Sequence, residues 1–332
     1  MVQSIPNANF SSLAGKSVHD INDSKYKEYR RQWMENPAKF ILSDFPIHLD
    51  MEITNRCNLR CTFCDKLPLL SKNQLGDMDF ELCRKIIDEG AENGLCGLKL
   101  SYRGEPLLHP QVDQIVAYGK RKGILDIYFN TNGMLLSKNM SLKLISAGLD
   151  RISISIEGID PVAFERERKG ASFQRIISNI STLLELREQA GSGRPRIRIQ
   201  TVRLPGLDLE EYSEFWRSHG DEVAVVDFKD VKNRNTDLVD ETWACPQLWQ
   251  RMTIERDGTI LACNNDDFRN LSPGNARELS VYESWHSPVV QRARELHKEG
   301  KSHLVRACIG CPWRTTQIEK LRSSPVKNSQ LC

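Results

Sequence analysis

The sequence predicts an α/β protein: a parallel sheet of six strand–helix units curled into a partial barrel, with a small α+β unit behind it. Three observations carry the prediction. Short apolar β-rich runs alternate with longer segments of helical period from residue 47 to residue 228, the signature of parallel sheet. A polar stretch without period, 232–241 (KNRNTDLVDE), separates this series from a different texture. The ten cysteines are grouped, some directly behind the first strand and others in the C-terminal third.

Residues 1–45 are polar, with a short amphipathic helical stretch around 26–40, and read as an extension that packs on the larger body. Strands are expected at 47–53, 97–101, 124–130, 151–157, 196–203 and 223–228. The helices between them are expected at 80–94, 110–122, 137–147, 173–188 and 209–218. So few units cannot make a closed eight-unit barrel and suit a partial one. A turn is expected at 191–194, and the domain boundary at 231/232 divides the chain into 1–45, 46–231 and 232–332. In the last part, 252–255 and 260–263 read as a hairpin around Asp257-Gly258, followed by one helix over 281–299 and a cysteine pair. The tail after Lys320 is expected to be ordered only if something holds it.

With 332 residues, 39% of them hydrophobic, the chain can bury a large core split between a larger and a smaller domain. Its 46 Lys and Arg against 44 Asp and Glu leave a net charge of +2. That balance gives no electrostatic basis for holding nucleic acid or an anionic membrane. No stretch reaches the ~20 continuous apolar residues of a membrane span, and the N-terminus lacks the apolar centre of a secretory signal. A cytoplasmic protein is expected, and in a reducing cytosol grouped thiols bind metal or do chemistry rather than form bridges.

The first group, Cys57-Asn-Leu-Arg-Cys61-Thr-Phe-Cys64, has the spacing C-x3-C-x2-C. Three thiolates on one loop can hold three irons of a four-iron cube and leave the fourth open to a small molecule. Zinc is the competing occupant, but a closed zinc site takes four ligands and this loop carries no fourth cysteine. Placed behind a strand that opens a βα series, the motif resembles the radical S-adenosylmethionine (SAM) superfamily over residues 47 to about 230. The resemblance implies a partial (β/α)6 radical SAM barrel whose open iron is chelated by the amino and carboxylate groups of SAM. It also implies a 5′-deoxyadenosyl radical that abstracts hydrogen from a substrate, and an external one-electron reductant such as flavodoxin or ferredoxin.

Further matches to that family follow in order along the chain. Phe63 stands where the family carries an aromatic near the adenine. Arg103-Gly104-Glu105-Pro106 resembles the GGEP motif, with Arg in place of the first Gly. Glu105 or the backbone is then expected to receive the methionine ammonium, and Gly104 to permit close backbone approach. Asn130-Thr131-Asn132-Gly133 is similar to the TNG turn, from which Asn132 would reach the ribose or neighbouring loops. Ser153-Ile-Ser155-Ile-Glu157-Gly158 resembles the SLDG segment, with Glu157 where Asp is commoner. Ser155 is a further cofactor contact on this reading, and Arg168 takes the usual basic position for the methionine carboxylate. All these residues fall at the carboxyl ends of successive strands, where open α/β folds bind ligands.

In the second group, Cys245, Cys263 and the pair Cys308-Ile-Gly-Cys311 supply four thiolates, enough for a second [4Fe–4S] cluster or, on spacing alone, for structural zinc. The run from Cys245 to Cys263, followed by Glu283-Ser-Trp285 and the C-x2-C pair, resembles the SPASM/Twitch auxiliary-cluster domain behind many radical SAM cores. Asn264 stands where a further cysteine often follows, so the one-cluster Twitch form is the better match. A closed cluster cannot bind SAM; it can shape the pocket and take an electron. The chain then resembles the Twitch-bearing aminocyclitol dehydrogenases. The function this implies is hydrogen abstraction from a carbinol carbon of a sugar, polyol or aminocyclitol in natural-product or glycan biosynthesis, giving dehydrogenation to a ketone or epimerisation. The alternatives are a radical SAM maturase of a ribosomally made peptide and, in a different class, a zinc-stabilised binding protein without catalysis.

Three cysteines remain. Cys83 and Cys96 read as small buried hydrophobes, and Cys332 as a candidate hydrogen-atom donor for epimerisation. Substrate contacts are expected from Asp227, Lys229, Asp230 and Arg234 and from Asn264, Asp266 and Asp267 beside Cys263. Among them Asp227 and Lys229, with Glu157 and Cys332, are the catalytic candidates, a proton acceptor being required for ketone formation. Trp243, Trp249 and Trp285 read as core of the small domain.

Overall fold

The computed structural model describes residues 2–7, 9–64, 66, 75–229 and 234–323. An N-terminal strand β1 (Phe10–Gly15) and helix α1 (Ser24–Lys39) precede the βα series. That series runs β2 (His48–Met51), β3 (Arg60–Cys61), α2 (Phe80–Glu92), β4 (Gly97–Lys99), α3 (Val112–Arg121), β5 (Asp126–Thr131), α4 (Lys138–Ala147) and β6 (Arg151–Ser155). It continues with α5 (Pro161–Glu167), β7 (Arg168–Lys169), α6 (Phe173–Gln189), β8 (Arg196–Arg203), α7 (Leu209–Trp216) and β9 (Glu222–Asp227). The C-terminal part adds β10 (Arg251–Ile254), β11 (Thr259–Leu261), β12 (Gly274–Asn275), α8 (Val281–Trp285), α9 (Pro288–Lys298) and α10 (Pro312–Ser323).

Helices start where side chains satisfy the free N–H groups of the first turn. Asp79, Ser137, Asp160, Ser172 and Asp208 each accept from a backbone N–H two or three residues on. Ser280 and Glu283 form a reciprocal capping box on α8.

Among the described residues one sheet runs in the order β1-β9-β8-β6-β5-β4-β2-β10-β11-β12. The six strands expected from the pattern are parallel neighbours in chain order, from β2 through β4, β5, β6 and β8 to β9. This is the partial barrel, with one addition at each edge. β1 joins β9 antiparallel, so the stretch expected only to pack on the body is part of its sheet. On the other side β10 joins β2 in parallel, Arg251 opposite His48 and Ile254 opposite Met51, and carries the hairpin with β11 around Gly258. The sheet is thus continuous from the radical-core strands into the C-terminal hairpin.

Period-2 alternation decides what each strand faces. Leu49, Met51, Leu98, Ile127, Phe129, Ile152, Ile154, Ile197, Ile199 and Val223 are at most 1% exposed and belong to the apolar core between sheet and helices. Their alternates, including Asp50, Tyr128, Ser153, Arg198 and Gln200, face the other side. Packed eight-unit barrels fill that side with branched apolar residues; here it is polar.

Two expectations for the C-terminal part are corrected. The helix expected over 281–299 is two helices, because Pro288 starts the second behind Ser287; proline lacks the N–H to continue a helix but suits a first turn. Trp249 and Trp285 sit in the large core rather than in a separate small one, and only Trp243 joins Cys245, Leu238 and Ile318 in a satellite core. Cys83 is fully buried, and Cys96 packs on the Tyr26, Tyr29, Trp33 and Ile47 cluster. Cys332 and Asp230 lie outside the described residues, as does the expected boundary at 231/232. Among the described residues no helix is long and apolar enough to cross a membrane.

Candidate active site

The loop behind β2 brings Cys57, Cys61 and Cys64 to the rim of the barrel, and four contacts hold it there. The two-residue strands β3 and β7 pair Cys61 with Arg168, and Thr62 N–H donates to the Glu167 carbonyl. Arg56 clamps Asp77 with two hydrogen bonds of 3.0 and 2.6 Å and donates to the Leu108 carbonyl. Asn132 donates to Asn58 at 2.9 Å. Gly104 completes the support from below, at φ +74° with the Arg56 and Thr54 carbonyl oxygens 2.7 Å from where a Cβ would sit. The close approach expected at this glycine is therefore made by the protein's own cysteine loop.

These three thiols line a cavity of about 350 Å³ together with Phe63, Gly104, Glu105, Asn130, Asn132, Ser155 and Arg168. Every residue the sequence suggested for SAM is thus on one wall system, but besides Asn132, held by Asn58, two of them are already engaged. The Glu105 oxygens accept from Thr131 Oγ1 at 2.6 Å, Asn132 N–H at 2.8 Å and Leu107 N–H at 3.2 Å. Glu105 therefore builds the turn behind the cavity as well as facing it, and burial pushes its carboxyl up. Arg168 is clamped by both oxygens of Glu157. Glu157 is consequently not the free carboxylate expected of a catalyst; it aims the Arg168 guanidinium, which lies 5.5 Å over the Phe63 ring. Burial pushes the Cys61 thiol up to about 11, with Arg168 opposing. Such thiols hold their protons until a cation replaces them, which is how an iron site is filled.

The cavity continues down the barrel. Asn130 and Val226 are shared with a second cavity of about 240 Å³, lined by Lys99, Tyr128, Arg151, Ser153, Arg198, Gln200 and Arg251 and closed below by Asn7, Asn9, Arg30 and Trp33. Asp227, Phe228 and Lys229 are shared with a third, which reaches Asn264 and Gln247 beside the second cysteine group. Three carboxylates sit among the lumen cations. Asp126 binds Arg151 at 2.6 and 2.8 Å, Glu222 binds Arg198 at 2.8 Å, and Asp50 binds Arg251 at 3.1 Å and Asn264 at 3.0 Å. Although burial pushes the Asp50 carboxyl up, Arg251 and Lys99 hold it well below the usual range. Arg30 and Lys99 have no carboxylate within ion-pair distance among the described residues, so five cations stand against three anions. Burial lowers the Arg198 pKa, and Arg151 adds to the effect.

Cys245, Cys263, Cys308 and Cys311 come together from three separate segments: the chain before β10, the end of β11 and the turn before α10. Burial pushes each thiol up, Cys245 to about 12; the charges of neighbouring cysteines push Cys245, Cys263 and Cys308 the same way, whereas backbone N–H groups and Lys229 oppose the rise at Cys311. Buried N–H donors surround them. The Trp313 indole N–H faces Cys245 and has no other partner. Arg314, 1% exposed, donates to Ser302 Oγ and the Leu238 carbonyl while its Nη2 finds no acceptor among the described residues; its charge acts on Cys308 and Cys311. Stranded donors around four thiols are what an anionic, sulfide-bearing cluster would satisfy. Among the described residues no three side chains are set to grip one ion.

The two thiol groups are linked rigidly. Arg103, which replaces the first glycine of the motif, is 4% exposed and binds Glu52 behind β2 at 2.6 and 2.9 Å and Glu255 behind β10 at 2.6 Å. Asp267 joins Lys66, two residues after Cys64, and Tyr102. Asp267 is thus a strut between loops, and Asp266 caps its own loop through Asn270 and Leu271, so neither is the substrate contact expected. Arg234 stacks on Phe268. Asp227 and Lys229 do face the chamber; Asp227 is paired with Lys320 and lies 3.6 Å from Arg203. Sequence reasoning missed the lumen residues Lys99, Arg151, Arg198 and Arg251, although the alternation in GLKLS, RISIS, RIRIQ and RMTI carries their signal.

Comparison with known proteins agrees with this geometry. The model of the Radical SAM superfamily matches residues 51–216, half of the chain, and that of the SPASM iron–sulfur cluster-binding domain matches residues 245–312. A probable GTP 3′,8-cyclase of Methanococcus maripaludis is 28% identical over 200 residues, which are 57% of this chain and 63% of that enzyme. The chain therefore spans a little under two thirds of that relative's length. Among solved structures, Streptococcus suis SuiB bound to its precursor peptide SuiA superposes with a TM-score of 0.63 at 16% identity, covering 85% of this chain and 75% of SuiB. BtrN, in complex with AdoMet and 2-DOIA, superposes with a TM-score of 0.52 at 18% identity, covering 80% and 93%. At such identities the likeness is one of fold.

Proposed function

The chain belongs to the radical SAM superfamily and carries a SPASM domain behind the radical core, and from that premise we propose that it takes hydrogen from a carbinol carbon of a polyhydroxylated small molecule held in the barrel lumen. Its cofactors are SAM, the SAM-binding [4Fe–4S] cluster and an auxiliary iron–sulfur cluster. When bound, the first cluster with SAM supplies the 5′-deoxyadenosyl radical, and the second supplies an electron acceptor. On our reading Cys57, Cys61 and Cys64 hold the first and Cys245, Cys263, Cys308 and Cys311 the second. Arg168, aimed by Glu157, is set for the methionine carboxylate, with Phe63, Gly104, Glu105, Asn132 and Ser155 around the rest of SAM. A flavodoxin or ferredoxin would deliver the priming electron in the cytoplasm.

The observation that carries the reading is the chamber that runs from the first thiol group past a polar lumen to Gln247 and Asn264, beside the second. A lumen of guanidinium, amide and hydroxyl groups suits a ligand rich in hydroxyls. Its excess of cations disfavours an aminocyclitol, which would arrive positively charged, and favours a neutral or anionic sugar or polyol. Asp227, on the wall between the cavities and paired with Lys320, is the proton acceptor for the substrate hydroxyl; Lys229 orients the same hydroxyl. Dehydrogenation follows if the proton leaves by this route. Epimerisation requires a hydrogen-atom donor instead, the part assigned to Cys332.

A second reading is radical chemistry on a nucleoside polyphosphate. The lumen cations favour it, as does the activity named for the curated relative. Anaerobic incubation of the reconstituted enzyme in deuterium oxide, with panels of sugars, sugar phosphates, aminocyclitols and nucleotides, separates the outcomes by mass. An unlabelled ketone with one 5′-deoxyadenosine per product supports dehydrogenation, deuterium at the reacting carbon supports epimerisation, and an isomer of a nucleotide supports the second reading. SAM cleavage that no hydroxylated compound stimulates would overturn the proposal.

A further inference from the structure

His297, on α9, is fully buried amid the second thiol group and has no part in the chemistry above. Its ring is held in one orientation. Nδ1 accepts from the backbone N–H of Cys245 at 3.1 Å, and the Trp243 ring packs against it with centroids 5.9 Å apart. An imidazole that accepts at Nδ1 carries its proton on Nε2, and Nε2 lies 3.4 Å from Cys308 Sγ.

We propose that His297 is a positioning residue that donates its Nε2–H to the Cys308 sulfur and thereby raises the reduction potential of the auxiliary cluster, fitting it to accept an electron from substrate. The proposal rests on the reading that Cys245, Cys263, Cys308 and Cys311 hold that cluster. Reduction adds negative charge, part of which falls on the ligand sulfurs, and a hydrogen bond to sulfur stabilises the reduced form more than the oxidised one. The step is a one-electron reduction in which no bond forms or breaks and the proton stays on Nε2. The positive charge of the buried Arg314, which acts on Cys308 and Cys311, works in the same direction. The Cys245 N–H that orients the ring belongs to another ligand of the same cluster, so one imidazole ties two ligands that lie far apart in sequence.

The test is a potentiometric titration of the anaerobically purified holoenzyme, followed by EPR, for wild type, His297→Gln and His297→Leu. The SAM-binding cluster serves as internal control. The auxiliary midpoint should fall in His297→Leu and fall less in His297→Gln, whose amide can still donate, while the other midpoint stays in place. In deuterium oxide the reduced wild-type cluster should show an exchangeable deuteron coupling that His297→Leu lacks. An unchanged auxiliary midpoint in fully loaded His297→Leu, or no exchangeable coupling in wild type, overturns the proposal. If His297→Leu fails to load, the His297→Gln midpoint and the wild-type coupling decide. Wild-type protein that binds about four irons rather than about eight would overturn the ligand reading itself, and the proposal with it.

Discussion

Replacing Arg103 by Met should be among the most damaging changes outside the cysteines. The guanidinium neutralises two carboxylates that are almost completely buried, Glu52 at 2.6 and 2.9 Å and Glu255 at 2.6 Å. Removing it leaves Glu52 without its cation and Glu255 with only the partly exposed Arg269, and uncompensated buried charge of this kind costs about 3–5 kcal/mol. Screening gives little relief because all three side chains are at most 3% exposed. The loss should also depend on pH in a defined sense. Burial already pushes the Glu255 carboxyl up, with Arg103 opposing, so without Arg103 it rises further above its unfolded value of about 4.3. Between those two values the native state binds more protons than the unfolded one, and stability falls as pH rises. Urea unfolding under anaerobic conditions, followed by tryptophan fluorescence, should find a smaller deficit against wild type at pH 5 than at pH 8. Adding Glu52→Gln and Glu255→Gln should recover most of it, since no buried charge is then left unpaired. A deficit below about 1 kcal/mol, or one equal at both pH values, would refute the assignment of Arg103 as the joint between the two halves of the sheet.

Three other substitutions probe the site. Gly104→Ala forces a Cβ to 2.7 Å from two carbonyl oxygens at a positive φ, a strain of about 1–3 kcal/mol or more; thermal unfolding and the iron content of the first cluster should both drop. Cys263→Ala or Cys308→Ala should lower iron from about eight to about four per chain while SAM binding persists, and loss of both clusters together would argue against two independent thiol groups. Arg198→Gln should weaken binding of a phosphorylated substrate at least tenfold, ~1.4 kcal/mol, without changing SAM affinity by calorimetry. An equal loss for both ligands would mean that Arg198 acts on the fold rather than in the lumen.

The sequence was most informative where information is local. Six strands in parallel order follow from runs whose apolar members recur every second residue, because one face of each strand must be covered by helices. The hairpin around Gly258 follows from turn chemistry that needs a positive φ, here +93°. Reading failed where partners are distant. β1 carries a weak pattern, FSSLAG, half of it exposed, and only the open edge of β9 makes it a strand. Glu157 read as a catalytic candidate because nothing in the chain announces that Arg168 closes on it. Pro288 was visible and should have divided the C-terminal helix.

The spacing of three cysteines behind a strand pointed to an open metal cluster, because three thiols within eight residues can meet one cluster whatever the rest of the chain does, and the resemblance to the radical SAM superfamily supplied the chemistry. Composition likewise disfavoured a nucleic-acid or membrane binder while leaving a local basic cleft open. What surrounds the chemistry was decided by tertiary structure alone. A guanidinium from β8, another from β10 and an ammonium from β4 become one cationic chamber only when the sheet curls, and an imidazole from α9 reaches Cys308 only when the C-terminal segments fold over it. Electrostatic fields and hydrogen bonds act through space over a few ångströms, so sites built from distant segments leave no spacing to read along the chain.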